Sequence, residues 1–168
     1  MERRAELSLS EWAVLGVLVD RPRHGYDIAT ALSSDAVVGR AWRVSRQLVY
    51  RALERLEALA LVEPRRTEPG AGAPPRTVYG PTRRGRAMLH RWLDSPVDHL
   101  RDVRSALLLK LVLLEALGRS RQTLVTAQRA AFAPLTADAR AARHGDDVVR
   151  TWRRQSALAV DRFLASLG

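Results

Sequence analysis

Eight polar and cationic side chains near the middle of the chain have the types and spacing to grip a polyanion. Ser45, Arg46, Gln47, Tyr50 and Arg51 crowd the start of one amphipathic segment, and Arg65, Arg66 and Arg76 flank a Pro/Gly-rich excursion just beyond it. Arginine offers a planar fork of donors that suits phosphate oxygens and guanine edges, while glutamine and short hydroxyls pair with base edges. Between Arg40 and Arg91 there are twelve Arg, no Lys and four Glu, a local charge of +8 in a chain whose total is +10. Such a field favours nucleic acid or an anionic membrane surface as partner.

These side chains need elements to aim them. Leu48, Val49, Ala52, Leu53, Leu56 and Leu59 recur at three- and four-residue spacing, which predicts a helix capped by Ser45 with those residues facing the core. Leu61-Val62-Glu63 reads as a strand and Thr77-Val78-Tyr79 as its partner. Between them, the Pro/Gly-rich run from Glu68 to Pro75 is expected to hold no ladder. Helix, strand, Arg-bearing tip and return strand make a winged helix-turn-helix, with the helix set for a major groove and the tip for the flanking backbone.

Upstream, Ser8-Leu9-Ser10-Glu11 is a capping box, and Leu9, Trp12, Ala13, Leu15, Gly16 and Val19 form an apolar helical face that ends at Arg21-Pro22. His24 to Ile28 opens a second helix, with Ile28, Ala31 and Leu32 inward, and Gly39 to Arg43 reads as a loop. Thr82 caps a fourth helix with Ala87, Met88, Leu89, Trp92 and Leu93 expected buried.

Ser95-Pro96 is the clearest linker and divides the chain into residues 1–94 and 95–168. Beyond it, Leu100, Val103, Leu107, Leu114 and Leu117 follow a seven-residue pattern that Lys110 interrupts, with Leu108, Leu111, Val112 and Leu113 on other sides. A helix apolar nearly all round must be buried on several sides, and a second chain is the expected cover. Gly118 ends that helix. A polar, Ala-rich helix follows from Arg119 to about His144, expected to break at Pro134. Asp146-Asp147 opens a last helix, on which Val149, Trp152, Ser156, Ala159, Phe163 and Leu167 line a face. The fold expected is mostly α with a small β-wing: an N-terminal winged helix-turn-helix plus a C-terminal helical dimerisation domain.

Several classes are disfavoured. The chain has no Cys, so no disulfide frame or thiolate site exists. Its first residues carry no apolar signal core, and the longest apolar run, Ala106 to Leu117, is too short for a bilayer. A cytoplasmic protein with no membrane partner is expected. His90, His99 and His144 are scattered without ligand-spaced companions, so neither metal nor cofactor is expected. No phosphate-binding glycine loop or nucleophile elbow is present, and the chain reads as a non-enzyme.

The motifs taken in order resemble the PadR family of bacterial transcriptional regulators. Leu15-Gly16-Val17-Leu18 followed by His24-Gly25-Tyr26-Asp27-Ile28 is similar to the family's opening helix and His-Gly-Tyr signature. Leu48-Val49-Tyr50 through Leu53, Leu56-Glu57 and Leu61-Val62 matches its reading helix, and Tyr79, Thr82 and Gly85 match its strand-to-helix turn. Ser105 to Leu111 resembles the larger subgroup, whose members carry a multi-helix C-terminal domain. Ala60 departs from the family's usual glycine and Arg51 from its common proline. The resemblance implies a homodimer on a pseudo-palindromic double-stranded DNA operator, a repressor released by a small-molecule inducer or other signal. It also implies that a small molecule can lodge between the winged domain and the dimer helices, where Trp92 and Trp152 are the aromatics to test. His24 and Tyr26 are expected to brace the second helix. The alternative is a winged-helix protein-interaction module without operator binding, against which the +8 of residues 40–91 argues. A MarR-like arrangement is disfavoured by the short lead before Ser8.

Overall fold

The computed structural model describes residues 6–69, 75–141 and 147–168. Helix α1 (Leu9–Asp20) starts on the expected capping box: Ser8 Oγ accepts from the Glu11 amide, and Glu11 Oε2 accepts from the Ser8 amide at 2.6 Å. It is buried almost all round, and α4 (Arg46–Ala58), α5 (Arg83–Asp94) and α6 (Leu108–Ala116) pack on it. Strand β1 (Arg23–His24) leads into α2 (Gly25–Ala31), where His24 Nδ1 accepts from the Asp27 amide. That strand is unannounced by the sequence pattern because two residues carry no periodicity. It completes a three-stranded antiparallel sheet of order β1-β3-β2.

The wing strands are longer than their apolar cores suggest. Strand β2 runs Val62–Glu68 and β3 runs Arg76–Pro81, with Glu68 still opposite Arg76. The ladder therefore extends to the edge of the Pro/Gly run, and the expected tip at residues 70–74 lies outside the described residues. A register shift between Pro64 and Arg66 accommodates Pro64, which has no amide to donate.

Helix α4 ends in a Schellman motif: the Ala60 amide donates to Glu57 O and the Leu61 amide to Leu56 O, both at 2.8 Å. Ala60 itself sits at φ 52°, the left-handed region that glycine tolerates best. Helix α6 ends in the same motif on Gly118 at φ 62°. Ala60→Gly is therefore expected to stabilise the chain by about 0.5–1 kcal/mol. Urea unfolding would measure it, and a loss of stability would contradict the strain assigned to Ala60.

Four packing expectations need correction. The stretch Gly39 to Arg43, read as a loop, begins inside α3 (Val37–Ala41), a five-residue helix that packs on α6. Its Gly39 has no room for a Cβ, which would lie 1.5 Å from Ser33 O, and its packing on α6 is the tertiary contact that the local pattern does not show. Leu48 is 43% exposed and Ala87 is exposed, each lying past the edge of its helix's buried stripe. Helix α6 does not depend on a second chain for cover: α1, α3 and α5 bury Leu109, Leu111, Leu113 and Leu114 within one subunit. Gly16 makes this possible, since a Cβ there would lie 2.6 Å from Leu113 Cδ2.

Between α5 and α6 the chain makes a 3-10 turn at Leu100–Asp102 and a π turn at Val103–Leu107. Helix α7 (Gln122–Ala141) then runs through Pro134 without a break. The proline lies on the solvent side, where the carbonyl it leaves undonated is open to hydration. Helix α8 (Val148–Ala165) is capped by Asp147 and returns along α7, with Ala157 and Leu164 inward; Asp146 and His144 are outside the described residues. The Ser95-Pro96 linker is pinned rather than loose. Buried Gln128 accepts from the Val97 amide at 2.7 Å and donates to its carbonyl at 2.9 Å.

Candidate nucleic-acid interface

Helix α4 presents its N-terminal residues to solvent because its buried stripe is confined to Val49, Ala52, Leu53 and Leu56. Ser45 caps it, its Oγ accepting from the Leu48 amide at 3.4 Å. Arg46, Gln47, Tyr50 and Arg51 all stand exposed on its first two turns, as their position off the apolar stripe predicts. The Arg46 guanidinium lies 5.0 Å from the centroid of the Tyr26 ring, a cation–π contact that restrains a long side chain before it meets anything. Tyr50 lies against Gly25, where a Cβ would come within 2.6 Å of its ring. The His24-Gly25-Tyr26 segment thus shapes this surface directly. Tyr26, expected to brace the second helix, is 52% exposed and forms part of this surface.

Helix α4 is also tied to α1 by one buried carboxylate. Glu11, 6% exposed, caps α1 and also accepts from Arg55 Nε at 3.1 Å. That contact adds to the buried apolar stripe that packs α4 on α1 and is not visible in the local pattern, since the partners are far apart in sequence.

The three wing arginines differ in how much of their charge is free. Arg65 is used internally: Nη2 donates to Pro81 O at 2.8 Å, Nη1 meets Glu63 Oε1 at 2.9 Å, and its stem runs over Gly80. Arg66 pairs with Glu68 at 2.7 Å. Arg76 is exposed and has no partner among the described residues. Arg83, at the start of α5, is likewise exposed, whereas Arg84 Nη1 reaches Leu59 O. Tyr79 is held as a neutral phenol, its pKa raised by burial and then by Glu57 and Glu54.

The two tryptophans named as ligand aromatics have different settings. Trp92 is stacked on Trp12, with ring centroids 4.6 Å apart and planes 8° from parallel. Lys110 Nζ lies 4.8 Å from the Trp92 centroid and donates to Ser95 O at 2.6 Å. Burial pushes the Lys110 amine down to about 8, against a small opposing pull from Asp98. Trp92 is thus engaged by protein, whereas Trp152 is 72% exposed on α8. A groove between α1, α3 and α6 and a narrower one between α7 and α8 are lined by other residues. Among the described residues no group of three or more His, Asp or Glu could hold a metal, and no helix is long and apolar enough to cross a membrane.

Residues 14–91 match the family model described as Transcriptional regulator PadR-like family. Among solved structures, Bacillus subtilis PadR in complex with operator DNA is 21% identical, over 95% of this chain and 96% of that one, with a TM-score of 0.51. The same protein in complex with p-coumaric acid is 21% identical over 95% and 96%, with a TM-score of 0.47. The Vibrio cholerae virulence activator AphA is 25% identical over 95% of each chain, with a TM-score of 0.40. The first of these shares the fold. No curated protein matches the chain.

Proposed function

We propose that this chain, whose residues 14–91 match the transcriptional regulator PadR-like family, is a cytoplasmic, dimeric, operator-binding repressor of that family without catalytic activity. The observation that carries the reading is the set Arg46, Gln47, Tyr50 and Arg51, exposed together on the first turns of a braced helix beside an Arg-bearing wing. A helix N-terminus so equipped suits the major groove, and the wing suits the flanking phosphates. B. subtilis PadR, whose fold this chain shares, has been crystallised on operator DNA. Residues 1–94 form the DNA-binding half and residues 95–168 the dimerisation half.

In this reading Arg46 and Gln47 read base edges, Ser45, Tyr50 and Arg51 reach adjacent phosphates or sugars, and Arg66 and Arg76 hold the wing on the backbone. Arg65 contributes chiefly by stiffening β2 against β3. The subunits meet along α8, where Val149, Trp152, Ser156, Ala159 and Phe163 repeat at alternating spacings of three and four. Two-fold symmetry then sets half-sites about one helical turn, or a multiple, apart on double-stranded DNA. A small-molecule or other signal releases the operator by changing the spacing of the two reading helices.

Arg46→Ala or Gln47→Ala is expected to cost roughly 1–3 kcal/mol on native operator and to narrow the margin over scrambled DNA. Arg76→Ala is expected to weaken both DNAs alike and to flatten the salt dependence. Fluorescence anisotropy at two salt concentrations, with DNA from just upstream of the gene, reads both effects. Parent-like discrimination by the Arg46 and Gln47 variants would remove the reading helix from its assigned role.

A further inference from the structure

Arg46 and Arg51 are both exposed on the first two turns of α4, and neither has an acceptor oxygen among the described residues. They differ in one respect. The Arg46 guanidinium lies over the Tyr26 ring, 5.0 Å from its centroid, whereas Arg51 meets no ring among the described residues. We infer that Tyr26 is a positioning residue for base readout: its ring holds the Arg46 guanidinium for a guanine edge, and it carries operator specificity through Arg46. The inference rests on the regulator reading and deepens it by naming the base.

Reading a guanine requires two N–H donors of one guanidinium to meet O6 and N7 together. A free arginine samples many rotamers, and ordering it on contact weakens the complex it makes. A ring lowers that cost without supplying an acceptor: its quadrupole attracts the cation, and the donors of Arg46 stay without an oxygen partner among the described residues. A carboxylate would do the opposite. Glu63 at Arg65 and Glu68 at Arg66 hold their partners by occupying donors and balancing charge. Phosphate contact tolerates many directions of approach and needs no such hold, which suits Arg51.

The fold places Tyr26 for this task and gives it little other work. It is the second residue of α2, whose buried residues are Gly25 and Ile28. Its ring is half exposed, its hydroxyl has no partner among the described residues, and the His24 ring flanks it at 6.5 Å with a tilt of 39°. Helix α2 packs on α4, where Gly25 lets the Tyr50 ring close over the backbone. Tyr26 and Arg46 therefore project from helix starts that are already in contact.

The test compares the parent with Tyr26→Leu, Tyr26→Phe, Arg46→Ala and the double variant Tyr26→Leu/Arg46→Ala, all as full chains. Anisotropy gives the ratio of affinities for native and scrambled operator DNA. Tyr26→Leu should lower that ratio by about two- to fivefold, and Tyr26→Phe, which keeps the ring, should restore it. In the Arg46→Ala background Tyr26→Leu should add almost no further loss. The salt slope should hold, because no charge is removed. Across single base-pair changes, Tyr26→Leu and Arg46→Ala should lose sensitivity at the same G·C pair of each half-site. A second loss in the Arg46→Ala background, or a Tyr26→Phe variant as poor as Tyr26→Leu, would overturn the positioning role. So would equal weakening on both DNAs, which would make Tyr26 a direct phosphate contact or a structural residue. Nitrogen relaxation at the Arg46 Nε–H of the free chain reads the hold without DNA: Tyr26→Leu should mobilise it and Tyr26→Phe should not. An Arg46 as mobile in the parent as in Tyr26→Leu would overturn the hold itself. A parent that does not discriminate between the DNAs would sink the regulator reading and the base readout with it, while relaxation still reports the contact. Discrimination that Tyr26→Leu leaves intact would sink the role of Tyr26 alone.

Discussion

Gly85→Ala is expected to destabilise the chain by more than about 3 kcal/mol, against the usual sign for such a change in a helix. Gly85 occupies the first turn of α5, where alanine would ordinarily gain up to about 1 kcal/mol from propensity. Here an added Cβ would lie 2.0 Å from Leu61 O and 2.9 Å from its carbonyl carbon. Both are backbone atoms, so no side chain can swing aside. The same carbonyl accepts from the Thr82 amide at 3.0 Å, and Thr82 Oγ1 also donates to Ala60 O at 2.8 Å. Relief of the clash must therefore pull α5 from the junction of α4 and β2 and break these bonds. Gly118→Ala is the natural control, because no atom lies within 4 Å of its Cβ and only its φ of 62° is strained. Its cost should stay near 1–2 kcal/mol. Urea midpoints for both variants separate collision from backbone strain, and a neutral Gly85→Ala would mean the junction is looser than its contacts imply.

Trp152→Glu is expected to split the proposed dimer and, with it, tight operator binding, while leaving the subunit folded. The ring is 72% exposed in the single chain, and its neighbours Val148 and Val149 are 80% and 49% exposed. All three apolar side chains lie on the first turns of one helix, and Val148 and Trp152 are the two most exposed large hydrophobic residues among the described residues. Covering one such indole stabilises by about 3 kcal/mol at 25 cal/mol per Å² of apolar surface, and a two-fold seam contains it twice. Loss of both, with carboxylates facing each other, should raise the dimer dissociation constant more than about a thousandfold. Sedimentation equilibrium would show a monomer where the parent is a dimer, and the thermal midpoint should barely move. A variant that remains dimeric would place the subunit interface elsewhere.

Local chemistry was legible in the sequence wherever one turn decides the outcome. Ser8, Ser45 and Thr82 cap the helices their spacing announces, and Gly118 ends α6 as its lack of a Cβ suggests. The exposure of Arg46, Gln47, Tyr50 and Arg51 followed from the apolar stripe they avoid. What stayed hidden depends on residues far apart in the chain. Helix α3 packs on α6, which no local apolar pattern announces, and α6 finds its cover because Gly16 lets Leu113 approach α1. Without those contacts, α6 reads as half of an intersubunit seam, whereas the unpartnered stripe is on α8. Arg65 looks like Arg66 and Arg76 in sequence, and only the strand opposite, with Gly80 and Pro81, shows that it is spent inside the wing.

The side-chain amide of Gln128 holds both the N–H and the carbonyl of Val97, and around it Asp94 meets Arg119 and Ser95 meets Lys110. The consequence concerns recombination. Residues 94–97 look like a convenient splice point for exchanging halves between relatives, yet Asp94, Ser95 and Val97 each have a partner beyond the cut. A hybrid joined after Val97 keeps these contacts only where its Lys110, Arg119 and Gln128 meet a carboxylate at position 94 and the same backbone path at 95–97. Helix α5 packs on α1 from one half and on α6 and α7 from the other, so it serves as a shared keel rather than the end of a module.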